Sequence, residues 1–379
     1  MNDTVVSVIG INPLRIGGNE YWCRELSARL GERGWQNVLC FVESPRDGVR
    51  RFLSLPNVHF EVVPNSWRSD REAAGKLWKV LRRYQPSIVH IQFTGFIGVY
   101  PWLAKLSGVK KVFFTDQTSK PEGYLPHRSA LWKRIASRAI NCPIDRVICI
   151  SDYNLQCLRA RDVLPADRFC KIFNGIDLSS INQGTTDSAI FRQKYSIPLN
   201  RSIVLQVSWI IPEKGIEDLL RAAAIVIRRF PDVQFVFVGE GEFRTHYCNL
   251  AREMGIREHI TWTGLLENPL AEGVFAAADV VCQMSRWEEA FGWTIAEAMG
   301  SSRPLVATRV GGIPELVDDK RSGFLVARGD SEAMAEKILL LLGSSALRMQ
   351  FGEAGRQIAE QKFDLRKNVE EVLQLYEIA

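Results

Sequence analysis

The chain is 379 residues long, 46% apolar and 24% charged, an ordinary composition for a globular protein and enough for two cores. Its eight cysteines are scattered with no Cys-x-x-Cys pair, which argues against a zinc site or a disulfide framework, and no apolar run approaches a membrane-spanning length. The net charge of +5 hides a split: residues 1–180 carry 26 Lys and Arg against 16 Asp and Glu, while residues 181–379 carry 22 against 27. Two units with different partners are therefore expected, the first meeting something anionic. Asn2 and Asp3 lead directly into Val5–Ile9 without a signal peptide, so a cytoplasmic protein is expected.

In chain order, the first half alternates strand-like and helix-like runs. Short, β-branched-rich strands are predicted at Val5–Ile9, Val38–Val42, Val58–Val63, Ile88–Gln92, Val112–Thr115, Val147–Ile150 and Lys171–Phe173. Helices are predicted at 19–33, 70–84, 129–140 and 152–161. Such alternation builds βαβ units and a doubly wound sheet, whose ligands sit beyond the carboxyl ends of the strands. At the first such end stands Asn12-Pro-Leu-Arg-Ile-Gly17-Gly18-Asn-Glu20. Its glycine pair reads either as a phosphate-approaching turn or as a flexible loop. At a later strand end, Asp116 reads as a turn or cap residue beside Gln117, and His90, inside a strand, as a satisfied core residue. The basic segment Lys76–Tyr84, with Lys133, Arg134 and Arg138 further on, suits either interfacial docking or a solvated helix face.

Residues 178–200 are polar and turn-rich, as an interdomain connection would be. The strand–helix pattern then restarts with Ile203–Val207, and Pro212-Glu213-Lys214-Gly215 opens a helix at 216–230. Lys214 at that junction is placed either to neutralise a diphosphate or to sit exposed in water. Further strands are predicted at Phe235–Val238, Ile260–Trp262 (followed by Thr263-Gly264-Leu265), Val280–Cys282 and Pro304–Thr308. A helix covers 330–342, and the tail from Glu353 to Ile378 is helical.

The densest stretch is Ser285 to Gly300. Glu289 ends a strand-following loop, the turn Ala290-Phe291-Gly292 follows, and Glu297 lies about one turn into the next helix. The first amides of that helix, around Gly292 to Thr294, have no intrahelical partners and lie at the positive end of its dipole, which suits a phosphate. The plain alternative is that both carboxylates simply face water.

This run, with Val310-Gly311-Gly312-Ile313-Pro314-Glu315 after it and Asn174-Gly175-Ile176-Asp177 before it, resembles retaining glycosyltransferases of family 4, whose signature is a Glu, seven residues, then a second Glu around a Phe-Gly turn. The resemblance implies an α/β protein of the GT-B fold: two Rossmann-like, doubly wound parallel-sheet domains facing across a cleft. It places an acceptor-side domain at 1–178, a nucleotide-sugar domain at 200–362, and a last helix, about 363–379, crossing back onto the first domain. It implies metal-independent transfer of a sugar from a nucleotide-diphosphate sugar to an acceptor hydroxyl, with retention, through Glu289, Gln117 and Lys214. The implied donor-binding set is Gly17, Gly18, Lys214, Gly264, Leu265, Glu289, Phe291, Gly292, Trp293, Thr294 and Glu297, with Glu289 on the donor sugar and Glu297 on the ribose hydroxyls. Two positions depart from the family pattern, which usually has a His where Gln117 stands and an Arg where Trp209 stands. No cofactor is expected beyond the sugar nucleotide, and no nucleic acid. The acceptor is a glycan, a lipid-linked glycan or a small molecule, and the basic first domain is expected to touch an anionic membrane at its inner face. The competing readings are another GT-B enzyme, such as a phosphorylase or a sugar-nucleotide epimerase, and a non-catalytic nucleotide-sugar binder.

Overall fold

Runs of β-branched and aromatic residues place seven short strands in one sheet: β1 (Thr4–Ile9), β2 (Gln36–Phe41), β3 (Val58–Val62), β4 (Ile88–Gln92), β5 (Lys111–Asp116), β6 (Arg146–Cys149) and β7 (Phe169–Lys171). All neighbours are parallel, in the order β3-β2-β1-β4-β5-β6-β7. Central strands β1 and β4 are buried on both faces, which is why they are rich in Val and Ile with only Thr4, Ser7, His90 and Gln92 polar, whereas the edge strand β3 is half-exposed. A second sheet holds β8 (Ser202–Val207), β9 (Val233–Val238), β10 (Ile260–Gly264), β11 (Val280–Gln283), β12 (Leu305–Thr308) and β13 (Gly323–Val326), also parallel, in the order β10-β9-β8-β11-β12-β13. Each sheet has its own core beneath covering helices. In both, strand order reverses at the centre, between β1 and β4 and between β8 and β11, and such switch points are where doubly wound sheets open a crevice for ligands.

The coordinates, a computed structural model, describe residues 3–64, 70–96, 98–183 and 188–377. Packing divides the chain into two units. The first is Met1–Thr118, Leu125–Gly175 and Leu365–Ala379, and the second is Ser119–Tyr124 and Ile176–Asp364. The short segment 119–124 thus leaves the first unit and is stitched to the second by paired backbone bonds, Lys120 N–H to Glu288 O (2.8 Å) and Glu288 N–H to Lys120 O (2.9 Å).

Three expectations need correction, and some elements were not anticipated. The strand predicted at Lys171–Phe173 is β7, two residues earlier, because buried Phe169 pairs with Val147. The stretch 178–200 is not a plain connection: it holds helices Leu178–Gln183 and Ser188–Lys194, anchored by buried Phe191, with 184–187 outside the described residues. The tail is two helices, Ser345–Lys362 and Leu365–Tyr376, broken where Phe363 is fully buried, with Ile378 outside the described residues. The edge strand β13 and the helices Asp47–Leu53, Tyr100–Leu106 and Arg244–Glu253 had no prediction. Helix Leu365–Tyr376 belongs to the first unit, where Asn368 donates to Phe173 O at 2.6 Å and the Tyr376 hydroxyl meets His90 Nδ1 at 2.5 Å.

Candidate functional site

The second unit gathers its charge at the β8–β11 switch point. After β8 the chain makes a short 3-10 turn, Pro212–Lys214, and Gln206 at the end of the strand holds the Lys214 carbonyl at 2.8 Å. Gly215 follows at φ +63°, where a Cβ would overlap the Met284 carbonyl oxygen, so only glycine lets this turn lie against the end of β11. The turn aims the Lys214 ammonium at Glu289 Oε1, 2.6 Å away, with both side chains largely buried. The ammonium also lies 5.0 Å from the centroid of the Trp287 ring.

Glu289 is 6% exposed and fully engaged. Its Oε1 accepts from Lys214, from the Ser285 hydroxyl, from Trp287 Nε1 (3.2 Å) and from Gln283 Nε2 (3.3 Å), while Oε2 accepts from the Ser119 hydroxyl (3.2 Å). Burial alone would raise its pKa, but the Lys214 ammonium and the hydrogen bonds from Ser285 and Trp287 hold the carboxyl below its ordinary value. It is an ionised carboxylate kept in a dry place.

Its neighbour Glu288 is the residue that sequence reasoning missed. In extended chain, successive side chains point opposite ways. Glu288 accordingly turns away from Lys214 and accepts from Arg328 (2.6 Å), Gly311 N–H (2.6 Å) and Gly123 N–H (3.1 Å). Gly311, at φ +52°, lies where a Cβ would overlap the Glu289 carbonyl oxygen, and Gly312 N–H donates to that oxygen at 2.8 Å. Arg286, which bridges Asp218 (3.0 Å) and Glu122 (3.2 Å), completes a charged clamp behind the loop. The signal was present as two adjacent acids, of which only one can face the switch point.

Beyond the loop, Gly292 at φ +116° caps helix Trp293–Gly300, and the N–H groups of Ile295 and Ala296 both turn to its carbonyl (3.0 and 3.2 Å). The amides of Trp293 and Thr294 precede those first bonds and sit at the helix's positive end. The Thr294 hydroxyl donates to Val207 O at 2.9 Å, tying the helix to the end of β8. Phe291 is buried edge-on against Trp293 and Phe363, so its side chain packs and only its backbone can meet a ligand. Glu297 is half-buried one turn along. At the ends of β9 and β10, Gly239 N–H bonds Gly264 O at 3.0 Å, Gly264 stands at φ +76°, and Leu265 after it is half-buried. Trp209 is partly exposed after β8 and carries no charge to that end.

In the first unit, Gly17 caps helix Gly18–Glu32 after β1, its N–H donating to Glu20 Oε2 at 3.0 Å. Glu20 is buried, and burial outweighs its hydrogen bonds from Gly17 and Asn19, so its pKa is raised. Gln117, after β5, exchanges both amide bonds with Asn174 (3.0 and 2.9 Å). Asp116 is buried and accepts from Thr118 N–H (3.1 Å) and Asn154 (3.0 Å), so of the turn and cap roles expected it takes the turn. His90 is a core residue, bonded to Tyr376 and to Thr115 (2.7 Å), and its burial pushes the pKa down to about 3. No cluster of metal-ligating side chains occurs among the described residues.

Residues 187–358 match the family model for glycosyl transferases group 1, and residues 16–180 match the model for glycosyltransferase family 4. The chain is 28% identical over 295 residues to alpha-D-kanosaminyltransferase of Streptomyces kanamyceticus, covering 76% of this chain and 75% of that one. It is 25% identical over 371 residues to N-acetyl-alpha-D-glucosaminyl L-malate synthase of Bacillus anthracis, covering 95% and 94%. A crystal structure of Anabaena HepE in complex with UDP and glucose superposes with a TM-score of 0.78 at 18% identity over the whole of both chains.

Proposed function

Because this chain belongs to the family-4 glycosyltransferases and has the GT-B fold, we propose that it moves a sugar from a nucleotide-diphosphate sugar to an acceptor hydroxyl, with retention and without a metal ion. The observation that carries the reading is the buried Lys214–Glu289 pair at the β8–β11 switch point. An ammonium has three N–H donors, and Glu289 takes one, leaving two for a diphosphate. The amides of Trp293 and Thr294 add the helix's positive end beside it. These groups supply the charge that a divalent cation supplies elsewhere.

Glu289 is held ionised, so it accepts hydrogen bonds from donor-sugar hydroxyls, through Oε2 in particular, where Ser119 alone donates among the described residues. Glu297 can take both ribose hydroxyls in a bidentate contact. In the transfer, the bond between the anomeric carbon and the diphosphate oxygen breaks. The acceptor oxygen bonds to that carbon on the same face, and the acceptor proton passes to the departing diphosphate. Gln117 need then be no base. It hydrogen-bonds a sugar hydroxyl, with the Asn174 pair setting its orientation. The acceptor is a glycan, a lipid-linked glycan or a small molecule, and an anionic membrane surface is a further partner.

Product analysis with a panel of sugar nucleotides tests this, beginning with UDP-glucose because HepE was crystallised with UDP and glucose. A glycosylated acceptor with the donor's anomeric configuration supports the reading. An epimerised donor, release of sugar 1-phosphate only with added phosphate, or binding without turnover each overturns it.

A further inference from the structure

Helix Leu131–Asn141 is turned inside out. Its apolar residues form one stripe at i, i+4 spacing, and Leu131, Trp132 and Ile135 on it are 65%, 68% and 62% exposed. Its buried residues are instead polar, Ser137 and Asn141, and Arg134 and Arg138 both reach Asp162. A surface helix of a globular protein ordinarily buries the apolar stripe and exposes the polar one. The face continues onto helix Tyr100–Leu106, where partly exposed Trp102 donates through Nε1 to Ile140 O at 2.7 Å and Leu106 stands exposed beside it. A contiguous apolar patch of this kind marks a docking surface rather than scattered surface hydrophobes.

The charge around the patch says what docks. Leaving out the segment 119–124, which belongs to the other unit, residues 99–141 carry seven Lys and Arg against one acid, buried Asp116; Lys105, Lys111, Arg134 and Arg138 pair with acids outside the stretch, and Lys110, Arg128 and Lys133 stand exposed. The helix itself carries Lys133, Arg134 and Arg138 and no acid, and Arg128 stands exposed just before it. The Lys133 ammonium lies 5.4 Å from the Trp132 ring centroid, beside the apolar stripe. Tryptophan and leucine on one face with basic residues along its flank is the pattern of a helix lying in a lipid headgroup region. At 11 residues it is too short to span, and no helix among the described residues is long and apolar enough to cross a membrane.

We infer that the exposed stripe of helix Leu131–Asn141, with Trp102 and Leu106, docks this protein onto the surface of an anionic lipid bilayer. The inference deepens the membrane contact proposed above and is independent of the sugar-transfer reading. It also moves that contact away from Lys76–Tyr84. Helix Arg71–Tyr84 buries Ala73, Leu77, Val80 and Leu81, and only Trp78, 37% exposed, looks outward among its large apolar residues, so it is an ordinary amphipathic surface helix.

Flotation of the full chain with phosphatidylcholine vesicles, with and without phosphatidylglycerol, tests the inference. The protein is expected to float with the anionic vesicles, less so as salt is raised, and to stay behind with the neutral ones. Trp132→Ser/Ile135→Ser is expected to lower partitioning about tenfold or more by removing the buried apolar area. Lys133→Gln should lower it less, and Trp78→Ser should leave it unchanged. Equal recovery on both vesicle types, no flotation, or equal loss in Trp78→Ser overturns the inference. So does a dimer in sedimentation velocity that Trp132→Ser/Ile135→Ser dissolves, since the face would then belong to a second copy. Flotation that succeeds while no donor supports transfer leaves the docking surface standing and removes only the sugar-transfer reading.

Discussion

Glu20 and Glu289 are both buried carboxylates beside a switch-point loop, one in each unit, and their pKa values move in opposite directions. The difference lies in their partners. Glu289 has a buried ammonium 2.6 Å away and neutral N–H and hydroxyl donors around it, so the charged form wins. Glu20 has the Gly17 amide, the Asn19 amide, its own backbone N–H and the more distant Arg15, and desolvation wins. The backbones differ in the same sense. Gly215 and Gly311 leave no room for a Cβ, whereas at Gly17, in extended conformation at φ −135°, a Cβ would meet Glu20 Oε2 at an ordinary 3.5 Å. The first loop is closely packed only where it leaves β1, at Gly10, whose Cβ would overlap the Phe93 carbonyl oxygen; the loop that holds a charge out of water is packed at both glycines beside that charge. At Gly17, where the first loop offers a neutral amide, it is open.

The largest effect that would break this contrast is Glu289→Ala. It leaves the Lys214 ammonium buried without its carboxylate, and a loss of about 3–5 kcal/mol in the second unit is expected by calorimetric unfolding. Gly215→Ala comes next, at about 2–3 kcal/mol, because strain at positive φ adds to the overlap with Met284. Gly17→Ala should change stability by no more than about 0.5 kcal/mol. Similar losses at both glycines would end the distinction between locked and open loops.

A third test reads the pH dependence. His90 titrates at about 3 in the folded chain against an ordinary 6.5, so its contribution is complete above the ordinary value and is lost as pH falls towards 3. Glu289, with its folded pKa depressed, contributes above the unfolded carboxylate value and loses that contribution as pH falls through its folded value. Glu20, with its pKa raised, works the other way: its contribution falls as pH rises from the unfolded value to the folded one. Scanning calorimetry from neutral to mildly acid pH should therefore show the wild type weakening below pH about 6.5. His90→Gln should flatten that slope, and Glu20→Gln, which keeps the cap, should not weaken the protein at neutral pH. An unchanged slope in His90→Gln contradicts the buried, neutral imidazole. A further effect falls on Gln117. Gln117→Ala should cut turnover about tenfold by loss of one orienting hydrogen bond, while Gln117→His is tolerated. Full activity in Gln117→Ala would place that residue away from the chemistry.

The strands, and with them both parallel sheets, were legible because strands buried on both faces leave short runs dominated by β-branched residues. The edge strand Gly323–Val326 was not, since it opens on a glycine and its apolar run is only Phe324–Val326. The Glu289 and Lys214 positions were visible as a motif, but Glu288 was hidden by parity: which of two adjacent acids faces the ligand depends on the strand's rotation. Helix Leu131–Asn141 shows the deepest limit. Its amphipathic pattern can be read from the sequence, but a pattern defines two faces without saying which one points inward.

The most direct test of the account is calorimetric titration of UDP, with other nucleoside diphosphates beside it, into wild type, Glu297→Ala and Lys214→Ala. Wild type should bind at least one of them, and each substitution should weaken that binding by about 1–3 kcal/mol, roughly 5- to 150-fold, with the fold intact by circular dichroism. Unchanged affinity in both variants would contradict a donor site built on the β8–β11 switch point.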